Sequence, residues 1–218
     1  MPSPIHIAEL DLREAVETTD YFRFRTEHFG RRLGWPVLND DGEDRHGVDI
    51  GSHHIVAYAD TGEVVGCIRL TPPDCPGWMI DTPPFSSAIP ADHAPGFPRH
   101  EALEISRLGV DTRFALLRTE AGYTVGQALR RGAYQASLRL GYRYWYVVAY
   151  QKLLRRLRRD HLPFRIIGAW GGADQPVAVA WLDLASAYVL MADRDRDFLH
   201  WNNAGLGLDR LAVLMEPT

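Results

Sequence analysis

Residues 143–150, Arg-Tyr-Trp-Tyr-Val-Val-Ala-Tyr, constrain the fold of this chain more than any other stretch. Aromatic and β-branched side chains crowd the segment, and so apolar a run is predicted to be a central strand. Helical segments lie on both sides of it in sequence. An amphipathic helix is predicted over 9–33, with Leu10, Val16, Phe22, Phe24 and Phe29 apolar and Gly34-Trp35-Pro36 as its stop. A second, over 117–140, turns Ala121, Val125, Leu129, Ala136 and Leu140 inward. Between them His53–Ala59, the turn Asp60-Thr61-Gly62 and residues 63–70 read as a β-hairpin. Further strands are predicted at 101–109, 164–167 (ended by Gly168) and 177–184, with short helices at 152–159 and 185–192. Strands and helices mixed around an antiparallel hairpin indicate an α/β (α+β) sandwich. Residues 71–100, rich in Pro, Gly and Asp, lack a regular pattern and are long for a plain connector, which suits a substrate-covering loop.

Composition closes off several classes. With 46% hydrophobic residues in 218, the chain can bury one good core, and we expect a single domain over 1–218. A formal net charge of -4 does not suggest nucleic-acid binding. No apolar run approaches 18 residues, so no membrane span is expected. The start, Met1-Pro2-Ser3-Pro4, lacks the features of a signal peptide, and Cys67 and Cys75 are not at metal spacing. The expectation is a reduced, cytoplasmic protein without a metal.

Four features carry chemistry. In 101–109 a carboxylate (Glu104), a hydroxyl (Ser106) and a guanidinium (Arg107) fall within four positions. Strand alternation would point Glu104 and Ser106 one way and Leu103, Ile105 and Arg107 the other. Arg25 and Phe29, four apart, share a helical face near Trp35. The acidic run 39–49 reads either as a solvated loop or as a grip on a cationic ligand. Arg69 ends an otherwise apolar strand, where a charge needs a partner.

In this order (Arg25-x3-Phe29-x5-Trp35, an acidic segment ending in Asp49, Gly66-Cys-Ile-Arg69-Leu-Thr-Pro72, Phe85, and Glu104-Ile-Ser-Arg107) the motifs resemble the acyl-homoserine-lactone synthases, the autoinducer synthases of quorum sensing. The resemblance covers roughly residues 20–185. It implies a GCN5-related N-acyltransferase-like fold, a twisted mixed central sheet flanked by helices. It implies that S-adenosylmethionine, as substrate and with no cofactor, is acylated on its amine by an acyl thioester and then lactonises, releasing methylthioadenosine. Glu104 would be the base, Arg107 would orient the site, and Ser106 would contribute at its backbone. Arg25, Phe29, Trp35, Asp49 and Arg69 would form the S-adenosylmethionine pocket, with Trp35 against the sulfonium. The family's acidic pair maps to His46 and Asp49, so His46 is a departure. Either Asp44 takes over through a shifted loop or His46 makes a different contact.

Met79, Phe85, Trp145 and Ala149 are candidates for the acyl pocket, with Tyr142, Tyr144 and Tyr146 beside Trp145, although these strand aromatics serve equally well as core. Ala149 brings no hydroxyl, which suits an unsubstituted chain. The donor is an acyl-carrier protein or acyl-CoA. The acetyltransferase loop Arg/Gln-x-x-Gly-x-Gly/Ala is missing, and Arg118-Thr-Glu-Ala-Gly-Tyr is at best its remnant, which favours the carrier protein. Lys152, Arg155, Arg156, Arg158 and Arg159 lie where the family docks that acidic partner, and otherwise make a solvated basic face. His46 keeps open a related N-acyltransferase acting on a free amino acid or another amine. A silent homologue that only binds carrier protein is disfavoured by Glu104 and Arg107 together.

Overall fold

The computed structural model describes residues 5–14, 18–90, 98–171 and 176–215. Its strands are β1 (Ile5–Leu10), β2 (His53–Ala59), β3 (Val64–Thr71), β4 (Ala102–Val110), β5 (Tyr144–Tyr150), β6 (Arg165–Trp170) and β7 (Val177–Asp183). They form one mixed sheet in the order β1-β2-β3-β4-β5-β7-β6. The chain divides into two compact parts, Met1–Thr71 with Ser106–Ala133, and Pro72–Ile105 with Tyr134–Thr218.

In the first part β1, β2 and β3 are antiparallel neighbours. Helix α1 (Thr19–Arg25) runs into a wider π-helical turn, Thr26–Arg32. Tyr21, Phe22, Phe29, Val37, Val56, Val64 and Cys67 form its core. The helix expected to begin at residue 9 begins at Thr19. Residues 5–10 are instead a strand, with Ile5 opposite Ala59 and Leu10 opposite His54. The edge of the hairpin offers these residues a hydrogen-bond ladder, and Ile5 and Ile7, half-buried on either side of exposed His6, have the period of a strand. Val16 falls outside the described residues.

The second long helix, α2 (Val125–Arg139), also starts late. Thr124 Oγ1 accepts the Gln127 N–H at 3.3 Å, and Gln127 Oε1 accepts the Thr124 N–H at 2.9 Å. This reciprocal cap fixes the start. Residues 118–124 are a turn closed by the Arg118–Thr124 bridge, which leaves Ala121 exposed. Leu140 is exposed beyond the far end of the helix, whereas Val125, Leu129 and Ala136 are buried as expected.

In the second part β4 pairs in parallel with β5, Glu104 opposite Tyr146, and β5 is antiparallel to β7. Strand β5 is buried along most of its length, as its composition requires. Strand β6 does not end at Gly168 but passes through it at a bulge. A Cβ there would lie 2.2 Å from the Ala88 carbonyl oxygen, a contact only glycine permits. Helix α3 (Gln151–Arg159) follows β5. Helix α4 (Leu184–Arg194) follows β7, and two helices not anticipated, α5 (Arg196–Asn203) and α6 (Leu208–Ala212), come after it. Within 71–100 the described residues make short 3-10 turns at Met79–Asp81, Ser86–Ala88 and Arg99–Glu101. Among the described residues no helix is long and apolar enough to cross a membrane.

Candidate active site

Three guanidinium groups and two carboxylates are buried together in the first part. Arg25 projects from the end of α1, Arg69 from β3 and Arg107 from β4, while Asp44 and Asp49 come from the acidic loop. Asp44 is gripped from two sides by bidentate forks. Arg25 donates to it from Nε (3.2 Å) and Nη2 (2.8 Å), and Arg107 from Nε (2.7 Å) and Nη2 (2.9 Å). Asp49 Oδ1 accepts from Arg25 Nη1 and from Arg69 Nη1, each at 2.7 Å. Arg69 Nε donates to Ser106 Oγ at 3.0 Å.

Asp44 supplies the second carboxylate, and His46 Nε2 donates to Asp44 Oδ1 (3.1 Å) and to the Val37 carbonyl (2.7 Å). The His46 backbone N–H donates to Asp49 Oδ2 at 2.8 Å. His46 thus braces both aspartates.

Electrostatics follow from this pairing. Burial pushes the Asp44 carboxyl up, but the bonds from His46, Arg107 and Arg25 outweigh it and hold the group well below the usual carboxylate range. Asp49, likewise opposed by burial, is held at about 2 by Arg25 and Arg69. Burial pulls Arg69 down, and the neighbouring Arg107 and Arg25 add to the fall. Three cations facing two anions leave the cluster one positive charge in excess. Arg25 uses all its nitrogens, whereas Arg69 Nη2 and Arg107 Nη1 make no hydrogen bond among the described residues.

Alternation along β4 breaks at one residue. Arg107 has φ 54, in the left-handed region that a non-glycine residue adopts at a cost of about 1–2 kcal/mol. That twist lets Ser106 and Arg107, which a regular strand would send to opposite faces, both join the cluster. Cys67 Sγ, its thiol pushed up to about 12 by burial, donates to the Arg107 carbonyl at 3.3 Å. Gly109 matters too, because a Cβ there would lie 2.7 Å from His28 Nε2 and from Phe29 Cζ. The Phe29 ring sits 5.9 Å from the Arg107 guanidinium carbon, and Trp35 packs half-buried on the same aromatic core. Beside the cluster is a cavity of about 400 Å³ lined by Leu12, Phe22, Arg45, His46, Asp49 and Ile50.

Glu104 belongs to the second part. Its side chain is buried, and Oε2 accepts the Ile80 backbone N–H at 3.0 Å. A cavity of about 330 Å³ is lined there by Trp78, Ile80, Ser86, Ile89, Arg99 and Tyr146. Trp78 is fixed by its Nε1 donating to the Pro72 carbonyl (2.9 Å), with the Arg99 guanidinium 4.3 Å from its ring centre.

None of the four residues singled out for the acyl pocket lines that cavity. Trp145 is on the opposite face of β5 from Tyr144 and Tyr146; its Nε1 donates to Ser137 Oγ of α2 at 2.8 Å, which makes it core. Ala149 is buried opposite Ala178 of β7. Met79 is next to two lining residues, and Phe85 packs edge-on against Trp170. Of the aromatic strand residues weighed for the acyl pocket, Tyr146 is the one that lines this cavity, whereas Trp78 reads in the sequence only as packing for its loop. The five basic residues of α3 are all exposed, while Leu154 and Leu157 anchor the helix. Among the described residues no group of three or more His, Cys, Asp and Glu is placed to hold a metal.

A family model described as Autoinducer synthase matches residues 9–188. An acyl-homoserine-lactone synthase of Agrobacterium fabrum (strain C58 / ATCC 33970) is 29% identical over 161 residues, 72% of this chain and 74% of that protein. The structure of a CoA-dependent acyl-homoserine lactone synthase, BjaI, with MTA is similar at TM-score 0.67 and 18% identity, covering 93% of this chain and 99% of that one. An acyl-CoA N-acyltransferase from Pseudomonas aeruginosa is similar at TM-score 0.54 and 18% identity, over 81% of this chain and 98% of that one. These two likenesses establish the N-acyltransferase fold. The family match spans most of the sequence, and the chain belongs to the autoinducer synthase family of acyltransferases.

Proposed function

We propose that residues 1–218 act as one cytoplasmic acyltransferase domain that makes an acyl-homoserine lactone from S-adenosylmethionine and an acyl thioester. The observation that carries this reading is the buried cluster of three arginines on two aspartates, with its excess positive charge and two spare guanidinium donors. An α-amino acid carboxylate is the complement of such a site. Arg69 Nη2 and Arg107 Nη1 hold that carboxylate, while Asp49 attracts the ammonium end and Trp35 and Phe29 face the sulfonium. The 400 Å³ cavity has room for a nucleoside-sized group against Phe22 and Arg45.

Glu104, through a water, takes a proton from the ammonium, and the freed amine attacks the thioester carbonyl. The C–S bond of the tetrahedral intermediate breaks, the thiolate leaves and is protonated, and an amide remains. One oxygen of the methionine carboxylate then attacks the γ-carbon. The carbon–sulfonium bond breaks with its electron pair passing to sulfur, giving the lactone and neutral methylthioadenosine.

The 330 Å³ cavity takes the acyl chain, with Trp78, Ile80, Ile89 and Tyr146 in place of Trp145 and Ala149. Carrier protein, rather than coenzyme A, suits the exposed basic face of α3, since Arg118 turns back onto the Gly122 carbonyl at 2.6 Å. The departure at His46 had favoured a different amine acceptor. With Asp44 supplying the carboxylate, that reading loses its support.

Mass spectrometry of organic extracts from cells expressing the chain tests the proposal. A homoserine lactone is expected, its mass giving the acyl length. An N-acyl amino acid without lactone would overturn it.

A further inference from the structure

Behind the arginine–aspartate cluster lies a buried hydrogen-bond chain. His54, on β2 directly opposite Arg69 of β3, is fully buried. Its Nε2 lies 2.9 Å from the Asp49 carbonyl oxygen, which only accepts, so Nε2 carries the proton. Nδ1 is therefore an acceptor, 2.6 Å from the Tyr21 hydroxyl. That hydroxyl in turn accepts from Arg25 Nη1 at 3.4 Å, which leaves its own proton for His54. The bonds run from Arg25 through Tyr21 and His54 to the backbone of Asp49, and the Asp49 carboxylate returns to Arg25 and Arg69. They close a ring with Arg25 and Asp49 as its two working members.

We propose that Tyr21 and His54 are positioning residues for acceptor binding: they hold Arg25 and the Asp49 turn in the geometry that takes S-adenosylmethionine, and do so only while His54 is the neutral Nε2–H tautomer. The inference rests on the functional reading above. A proton added at Nδ1 would turn that acceptor into a donor toward a hydroxyl already accepting from Arg25. It would also place a third cation beside Arg25 and Arg69, with the Asp49 carboxylate facing it. The groups that face the ring are Tyr21 and Arg25 from α1, Asp49 from the loop and Arg69 from β3; β1 brings Leu10 opposite, its Glu9 carboxylate being engaged by His53 at 3.2 Å. Burial already lowers His54 to about 4.

Calorimetric titration of S-adenosylmethionine into the full-length protein and its Tyr21→Phe variant tests the brace. The variant is expected to bind about tenfold more weakly, the effect of one or two buried hydrogen bonds. In turnover, KM for S-adenosylmethionine rises by the same factor while KM for the acyl donor stays within about twofold. Equal affinity, or an equal rise in both KM values, would overturn the proposal. Absence of binding by the wild type would instead refute the functional reading alone. The brace is then tested on its own by long-range ¹H–¹⁵N correlation of the imidazoles. A neutral Nε2–H His54 at pH 6 is expected, and an imidazolium there would overturn it.

Discussion

Asp44→Asn is the substitution whose consequences the geometry specifies most fully. The native carboxylate accepts five hydrogen bonds, two from each of two arginines and one from His46, and is fully buried. An amide keeps one oxygen and turns an NH2 group toward donors, so each of the two guanidinium forks, which both span Oδ1 and Oδ2, loses one of its two acceptors. The cluster's excess charge rises from one to two. Summing five separate bonds would overshoot, because the bonds share one acceptor and are not additive. The better guide is removal of one partner from a buried ion pair, about 3–5 kcal/mol. With a urea m-value of about 2 kcal/mol/M, the unfolding midpoint should fall by about 1.5–2.5 M at unchanged m. Asp41→Asn, exposed in the same loop, should shift stability by less than about 0.5 kcal/mol. Because Asp44 is held far below its unfolded value, its contribution is present above pH of about 4 and erodes as pH falls below that. A midpoint for Asp44→Asn within about 0.3 M of wild type would refute the reasoning.

Three other expectations bear on function and pH. Glu104→Gln keeps an oxygen for the Ile80 N–H but cannot take a proton, so turnover should drop at least about tenfold with melting unchanged; near-normal product formation would remove Glu104 as the base. His28 and His54 are each lowered to about 4, chiefly by burial. The unfolded chain then binds more protons between pH of about 6.5 and 4, and each histidine should withdraw up to about 3 kcal/mol as pH falls through that window, read by urea unfolding at a series of pH values. Replacing Arg155, Arg156 and Arg158 together should raise KM for carrier protein at low salt and matter less at high salt. An unchanged KM at low salt would leave α3 a solvated face.

Much of the fold could be read because strands announce themselves locally: the hairpin, β4 and β5 fall within a residue or two of their expected bounds. Strand β1 was missed because its partner lies some fifty residues later, and a helix-like spacing of Leu10, Phe22 and Phe29 crossed the boundary. The late start of α2 was legible in the Thr124–Gln127 cap but was overridden by the longer apolar pattern. In the site, Arg25, Asp49, Arg69 and Arg107 were nameable from the ordered motifs that resemble the family, and Arg69 also as a charge in an otherwise apolar strand. Asp44 was visible only as a neighbour, because its place depends on Asn39 folding the loop. The Asn39 carboxamide oxygen accepts the N–H groups of Asp41 and Glu43, and its backbone N–H donates to the Glu43 carbonyl. Local side-chain bonding of this kind leaves no periodic signature. Tyr21 and His54 carry no signal of their own in the sequence, and only the fold brings their rings together.

The left-handed backbone at Arg107 has a consequence for how this site can drift. The strained conformation and the fork onto Asp44 sustain each other: the ion pair holds the twist, and the twist aims the guanidinium. Glycine at 107 would relax the backbone but take from a buried aspartate one of its two guanidinium forks, while a neutral residue at 44 would leave a twisted strand holding an uncompensated cation. Either step alone leads downhill, so a mutational walk can leave this arrangement only by changing both positions at once. Positions 44 and 107, 63 residues apart, thus behave as a single heritable unit.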